Sequence, residues 1–405
     1  MTHHVESGGI CVYNTARELF SPIGPREYYR TVGFDELALS LSTAMSYRKT
    51  IRFLNRVRWQ TEKGTPMTTL ANIVEIEGTQ AQQELERQAQ QILMEHQFDQ
   101  AGTPQKAEHT YGLLPEQASL PSEQVVQAIQ SYNRDKAEGF RISPSFAEQH
   151  YENREKTVSV SIDDVGVKKQ KETGRSPDKL EKEAREYAHN TIAHVEHGNR
   201  SYVLNGTNNE SVLKLLIAFL LHNHLLQACY LQFFVDGARG LHTSILSMFQ
   251  WLPHFRILLD WYHLEKKCEY ELSLTLKGSK IRNDILERLL PLLWLGNVDD
   301  AIAFLQAIQP GLLKNGQSVD RLVGYFERNR AYIPCYALRK KLGLRNSSNK
   351  GEKANDLCVA SRQKHNGMSW SKDGSVALAT VTALHLNHEN ENWISRKQIQ
   401  FKFAS

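Results

Sequence analysis

The 405-residue sequence predicts an α/β protein, in which an all-α N-terminal region precedes a mixed sheet that is interrupted by a helical insertion. From Lys156 onward apolar and polar residues alternate, as in Val158-Ser-Val-Ser-Ile162, and this period of two is typical of strands. Before that point, and again over 264–342, apolar residues recur at helical spacing. The predicted order between these regions is three strands, helix, strand, helix, strand, which favours a sheet with helices packed on it.

Length and composition exclude several classes of protein. A mass of 46.3 kDa predicts two or three domains, and 40% hydrophobic residues suffice for a core. No apolar run reaches the roughly 18 residues of a membrane span, and the first residues lack the layout of a signal peptide. Five cysteines without a Cys-x-x-Cys pair predict reduced thiols in the cytoplasm. The net charge of +4 does not by itself indicate a nucleic-acid partner.

The N-terminal region, residues 1–98, is predicted to be helical after a short irregular start. Its segment 48–63 carries one acid, Glu62, among several basic residues. The basic residues that a helix would place on its outer surface are Arg48, Lys49, Arg52 and Arg56. A turn at Gly64 and a short helix over 66–77, ended by the next glycine, would complete a DNA-binding helix-turn-helix. The alternative is an ordinary solvated helix face.

The remaining elements follow from the same periodicities. A linker with one helix is predicted over 99–155. The predicted strands cover 158–163, 187–195, 200–204, 230–235 and 255–259, and the helices between them cover 211–227 and 241–251. Two final helices are predicted over 350–365 and 374–387, before a tail over 391–405.

Two of these strands end in an acid. Asp163 follows the first strand and Asp236 the fourth, and α/β sheets place active sites beyond their strand ends. Asp163 is preferred to its neighbour Asp164, because the strand's alternation puts it on the face of the serines rather than of the valines. Two such carboxylates could share Mg²⁺. The alternative is a turn at Asp236-Gly237 and a solvated strand end at Asp163.

A third acid, Glu352, lies in the first turn of a predicted helix. Asn349 and Glu352 have the spacing of a weak capping box, which would be a purely structural use. The segment 339–364 is otherwise strongly basic, and two acids one turn apart in such a segment suggest a metal-binding edge that faces DNA phosphates. Asp356 is the alternative ligand.

The sequence resembles DDE transposases of bacterial insertion sequences, which have a ribonuclease-H-like catalytic domain. The resemblance spans residues 157–387. It is carried by FFVDGA (233–238), ILLDWYHLEKK (257–267) and EKANDLCVASRQKHNGMSWS (352–371). Asp260 and His263 in the second motif are similar to the DxxH signature of Mutator-like transposases, in which a helical insertion separates the second and third acids. The catalytic domain would then comprise 156–263 and 343–390, with the insertion over 264–342.

This resemblance implies a function and a set of site residues. The catalytic acids would be Asp163, Asp236 and Glu352, which would hold two Mg²⁺ or Mn²⁺ ions. The enzyme would hydrolyse phosphodiesters at transposon ends and transfer the strand to target DNA. Its partners would be double-stranded terminal inverted repeats and target DNA in the bacterial nucleoid, bound by a homodimer or higher oligomer. Asp260 and His263 would either hydrogen-bond locally or act beside the site, with His263 contacting a phosphate or orienting Glu352.

Further basic residues are candidate phosphate contacts. The family often has a basic residue on the Glu helix, but position 359 is Val here, which leaves Arg362 and Lys364. Lys168 and Lys169 follow the first strand and form a second candidate strip. Two alternative functions stay open, a structure-specific nuclease on the same fold and an inactive, transposase-derived DNA-binding protein.

Overall fold

The computed structural model describes residues 4–6, 9–11, 20–23, 28–58, 64–105, 117–170, 186–314, 316–364 and 368–403. It begins with two short antiparallel hairpins, β1 (His4–Glu6) with β2 (Gly9–Cys11) and β3 (Phe20–Ile23) with β4 (Tyr28–Thr31). The prediction of an all-α N-terminal region is therefore wrong for its first residues. Aromatic and β-branched residues there, such as those of Tyr28–Thr31, favour extended backbone.

Five strands form the central sheet. They are β5 (Thr157–Lys168), β6 (Tyr187–His197), β7 (Arg200–Gly206), β8 (Tyr230–Val235) and β9 (Phe255–Leu259). The strand order is β7-β6-β5-β8-β9, in which β5, β6 and β7 are antiparallel neighbours while β8 and β9 run parallel to β5. The predicted α/β class, with a mixed sheet of the ribonuclease-H-like kind, is confirmed.

Helices precede, interrupt and follow this sheet. The first four are α1 (Val32–Ala44), α2 (Tyr47–Val57), α3 (Met67–Glu95) and α4 (Ser122–Asn133). Between the strands lie α5 (Asn209–His222), α6 (Leu225–Ala228) and α7 (Arg239–Phe249). After β9 come α8 (Trp261–Thr275), α9 (Ser279–Trp294), α10 (Val298–Gln306), α11 (Gln317–Asn329) and α12 (Tyr336–Lys341). The last three are α13 (Asn349–Asn355), α14 (Lys372–Leu386) and α15 (Asn390–Arg396), and α13 continues through a π-helical turn (Asp356–Ala360) to Ser361–Gln363.

Helix α3 is longer than predicted because it continues through Gly78. A Cβ atom at Gly78 would lie 2.3 Å from the main-chain oxygen of Ala377 in α14, so this glycine allows close packing of two helices and does not end one. The carboxylate of Glu77 is buried in the same contact, where it accepts a 3.1 Å hydrogen bond from the indole of Trp393 and pairs with Lys397. Helix α3 is thus part of the core along its length, and the predicted short second helix is wrong.

The two faces of the sheet differ in polarity. One face carries Val158 and Val160. Helices α5 and α7 pack on it, α7 through Phe249 against Phe233 of β8, and α3 packs against α5. The other face carries Ser159 and Ser161, and the chain returning from the insertion, residues 339–355, packs over it. This second face leads to the strand ends at which the acids lie.

Ion pairs to two buried acids hold the returning segment on the polar face. Arg339 is fully buried and makes a two-pronged pair with Glu152, at 2.9 and 2.5 Å. Arg345 and Lys350 both bind the carboxylate of Glu196, which lies on β6. Part of the basic segment 339–364 therefore neutralises buried acids, so its charge is less available to DNA than the sequence suggests.

The insertion has an apolar core of its own. Buried side chains of α8 to α11 form a cluster that includes Leu272, Leu289 and Phe326. A third cluster joins α4 to α12 through Val125, Ile129 and Leu338, so the segment predicted as a linker is partly packed structure.

The C-terminal segment, predicted as a tail, packs in the main core. Phe401 is almost completely buried against Tyr202 and Phe219, and its backbone N–H donates to Glu389. Cys229, Cys268, Cys335 and Cys358 are buried and free. No helix in the described part of the chain is both long and apolar enough to cross a membrane.

Candidate active site

The sheet register brings three carboxylates into one row. The ladder between β5 and β8 pairs Ser161 with Phe234, and the same register two residues further places Asp163 opposite Asp236. The ladder between β8 and β9, continued by one residue, places Asp260 beside Asp236. Parallel strands that end at one edge therefore bring Asp163 and Asp236 to one crevice, while Asp260 beside them is buried.

Asp163 is held from two sides. One carboxylate oxygen accepts the backbone N–H of Asp164 at 2.8 Å, and the other accepts the side-chain amide of Asn355 at 2.8 Å. Asp164 points to the opposite face, where it accepts a 2.5 Å hydrogen bond from the hydroxyl of Thr191. This placement agrees with the choice of Asp163 over Asp164.

Asp236 lies in a tight turn directly after β8. Its Oδ1 accepts the backbone N–H of Ala238 at 2.8 Å, and the intervening Gly237 has a φ of +86°, which favours glycine. The turn at Asp236-Gly237, which the sequence offers as a purely structural role for this acid, is therefore present. Asp236 nevertheless lines the crevice.

Glu352 reaches the crevice because α13 lies directly on β5. A Cβ atom at Gly351 would be 2.4 Å from the Cβ of Ser161, so glycine permits this approach. The Glu352 carboxylate lies 3.2 Å from the imidazole Nε2 of His263. No capping box forms, since the N-cap of α13 is Ser348 and its side chain makes no capping bond.

Asp163, Asp236, Glu352 and His263 line one cleft, together with Asn355. Burial raises the pKa of the Asp163 carboxyl, and the neighbouring Asp236 raises it further. Burial also raises the pKa of Glu352, against the opposing effect of His263. The cleft therefore concentrates negative charge that the protein itself only partly neutralises.

The Oε1 atom of Glu352 tests whether the cleft suits a divalent cation. This oxygen is closed off from solvent and makes no hydrogen bond to a described residue, although His263 is near it. An unpaired buried carboxylate oxygen is costly, and a cation would remove the cost. No three described His, Cys, Asp or Glu side chains converge on one point to hold an ion. Mg²⁺ needs fewer, because it commonly takes one or two carboxylates and adds water and phosphate oxygens.

Asp260 is fully buried and serves a structural purpose. Its Oδ1 accepts the backbone N–H groups of Tyr262 at 2.7 Å and His263 at 3.3 Å, which caps α8. Its Oδ2 accepts the backbone N–H of Ser348, directly before α13. Asp260 thus joins the two helices that carry His263 and Glu352.

Sequence reasoning missed Asn355 and overvalued Asp356. Asn355 follows Glu352 by one helical turn and so shares its face, whereas Asp356 is exposed and does not line the cleft. The spacing of three residues places Asn355 beside Glu352, but an uncharged amide does not by itself indicate a metal or phosphate site.

The predicted DNA contacts divide into exposed and buried residues. The exposed basic residues are Arg48, Lys49, Arg52 and Arg56 on α2, together with Lys168 and Lys364. Among the described residues no carboxylate forms an ion pair with the four on α2. Lys169 instead pairs with Glu186 at 2.7 Å.

Arg362 does not lie on a DNA-accessible surface. It is buried between the rings of Tyr47 and Trp370, at 5.0 and 5.2 Å from their centroids, and its Nε donates to the main-chain oxygen of Ser42 at 2.8 Å. The prediction that it contacts a phosphate does not fit this placement. It connects α13 to the N-terminal helices.

No protein-family model and no curated protein matches the chain. Among solved structures, the Drosophila P element transposase strand transfer complex is similar at 9% sequence identity and a TM-score of 0.26, over 96% of this chain and 87% of that one. A TM-score this low supports neither a fold nor a function. The function of the protein must therefore be argued from the geometry of the cleft.

Proposed function

We propose that this protein is a DNA transposase that cleaves a phosphodiester at a transposon end and joins the freed 3′-hydroxyl to target DNA. The proposal is carried by one observation. Asp163, Asp236 and Glu352, which are far apart in the sequence, line a single cleft at the carboxyl edge of a ribonuclease-H-like sheet.

Each acid has support that fixes its direction. Asn355 holds Asp163, the turn at Gly237 holds Asp236, and His263 lies beside Glu352. Two divalent ions bound by these acids would supply activation of a water or hydroxyl nucleophile and stabilise the leaving oxygen. His263 is also placed at the cleft surface, one-third exposed, where its imidazole could contact a phosphate oxygen.

The proposed partner is duplex DNA bound along the exposed cations. The α2 residues Arg48, Lys49, Arg52 and Arg56 would contact backbone phosphates, and so would the exposed Lys168 and Lys364. Thr68 and Asn72, exposed at the start of α3, are available to base edges. The buried side of α3 would only position these two residues.

The substitution Asp236→Asn tests this proposal. It removes a negative charge from the cleft and changes the size of the side chain little, so cleavage and joining of DNA that carries the sequences flanking the coding region should fall to background. Binding to the same DNA should persist. The measurement is product formation with Mg²⁺ or Mn²⁺, with precut 3′-hydroxyl ends assayed separately for joining.

Asp356→Asn is the matched control, because this acid lies four residues from Glu352 yet outside the cleft. It should retain both activities. If Asp236→Asn still cuts and joins, the assignment of the acids is wrong. If the wild type cuts but never joins precut ends, the enzyme is a structure-specific nuclease, and if it does neither while binding DNA, it is a DNA-binding derivative.

A further inference from the structure

We infer that Tyr325, which belongs to the helical insertion, is a positioning residue for Asp236. Its hydroxyl donates a 2.9 Å hydrogen bond to the main-chain oxygen of Asp236. This inference rests on the proposed function, in which Asp236 holds a metal ion, and it gives the insertion a specific task at the cleft.

The hydrogen bond acts on the turn that aims the carboxylate. The side chain of Asp236 bonds to Ala238 across Gly237, so the direction of the carboxylate depends on the shape of this turn. A Cβ atom at Gly237 would lie 2.6 Å from the Tyr325 hydroxyl and 2.8 Å from its ring. The tyrosine therefore lies directly against the turn and fixes it by contact as well as by hydrogen bonding.

The insertion holds Tyr325 rigidly. Tyr325 is 5% exposed on α11. Arg321 of the same helix pairs with Glu271 of α8 at 3.1 Å and so ties the two helices together. Glu271 also pairs with Lys267 of α8 at 3.0 Å. The ammonium of Lys267 also lies 5.9 Å from the centre of the Tyr325 ring. Because α8 begins at the residue after Asp260 and carries His263, one pair of helices supports both Asp236 and the neighbour of Glu352.

Tyr325→Phe tests the inference, because it removes one hydroxyl and keeps the ring in place. Tyr336→Phe is the matched control, since Tyr336 is also buried and its hydroxyl donates a 2.8 Å bond to the main-chain oxygen of Leu259, another strand end. The readouts are Mn²⁺ affinity by electron paramagnetic resonance, thermal stability, and the kcat and KM of DNA cleavage.

We expect Tyr325→Phe to weaken Mn²⁺ binding about fivefold, the ratio that one ordinary hydrogen bond is worth. It should lower kcat and leave the KM for DNA unchanged. Tyr336→Phe should lose similar stability and keep the wild-type Mn²⁺ affinity. Gly237→Ala provides a second variant, because its methyl group would collide with Tyr325, and it should also weaken Mn²⁺ binding.

Three outcomes would overturn the inference. Equal Mn²⁺ affinity in Tyr325→Phe and wild type, or equal losses in Tyr325→Phe and Tyr336→Phe, would show that Tyr325 has only a general structural role while the proposed function stands. A wild-type protein whose Mn²⁺ binding does not depend on Asp236 would overturn both the inference and the proposed function.

Discussion

At the scale of residues, Asp260 shows how a buried acid can serve a site without lining it. Its two oxygens accept three backbone N–H groups, two from the first turn of α8 and one from Ser348 before α13. Both of its oxygens therefore bind within the protein. Asp260 thus hydrogen-bonds locally, which is one of the two roles that the sequence leaves open. These bonds also orient the two helices that carry His263 and Glu352.

His263→Ala should lower the rate of DNA cleavage about 10- to 100-fold, the usual cost of removing a partner of a metal-binding carboxylate. The reason is that Glu352 would lose the imidazole 3.2 Å from its Oε1. His263→Gln should recover part of the rate, because its amide keeps a polar N–H group near the same oxygen. The measurement is single-turnover cleavage at saturating metal.

Tyr270→Ala is the control for this series, since Tyr270 is 61% exposed on the same helix and should not affect the rate. An unchanged rate in His263→Ala would show that Glu352 needs no support from this histidine.

At the scale of elements, α2 is the surface most suited to DNA. It presents Arg48, Lys49, Arg52 and Arg56 to solvent, and its own residues Tyr47–Val57 include no acid. Its other side packs through Ile51 and Leu54 onto α1 and α3, which anchors the cationic face to the body.

The triple substitution of Arg48, Arg52 and Arg56 by Ala should weaken DNA binding and reduce its salt dependence. If each arginine contacts one phosphate, the slope of log K against log [salt] should become shallower by about 0.9 per contact, or roughly 2.7 in all. Alanine is the best helix former, so α2 should persist. Fluorescence anisotropy over a range of salt concentrations measures the slope.

The matched control is Arg134→Ala, which removes an exposed charge after α4 and should leave the slope unchanged. A triple variant with the wild-type slope would place the DNA elsewhere on the protein.

Local patterns predicted the strands β8 and β9 with their observed bounds, since each is a short apolar run that ends at an acid. The end of helix α3 could not be predicted locally. A glycine in a helical pattern indicates a helix end unless the partner helix that packs against it is known. Gly78 meets α14 some 300 residues later. Gly351, which allows α13 to approach β5, is a second close contact of this kind.

At the scale of the whole molecule, long-range packing decides which predicted residues share the site. The choice of Asp163, Asp236 and Glu352 needed only strand ends and a motif, and the structure brings these acids to one cleft. Arg362 was wrongly predicted to contact DNA, because a basic residue in a basic segment is expected to be exposed. Its burial depends on Tyr47, from a different part of the chain.

The same packing explains why a net charge of +4 conceals the distribution of charge. Arg339 and Arg345 neutralise acids within the fold, while α2 keeps its cations at the surface. The surface charge relevant to DNA is therefore a property of the folded molecule rather than of the composition.

In the proposed function, Asp163, Asp236 and Glu352 together hold the metal ions of one cleft, and no single ion needs all three. Mn²⁺ titration followed by electron paramagnetic resonance tests it most directly, with wild type, Asp163→Asn, Asp236→Asn, Glu352→Gln and the control Asp356→Asn. Each of the first three variants should weaken binding by at least about tenfold, since even outer partners of a metal site cost that much, and the control should bind as wild type does. Wild-type affinity in all three cleft variants, or an equal loss in Asp356→Asn, would show that these three acids do not hold the metal.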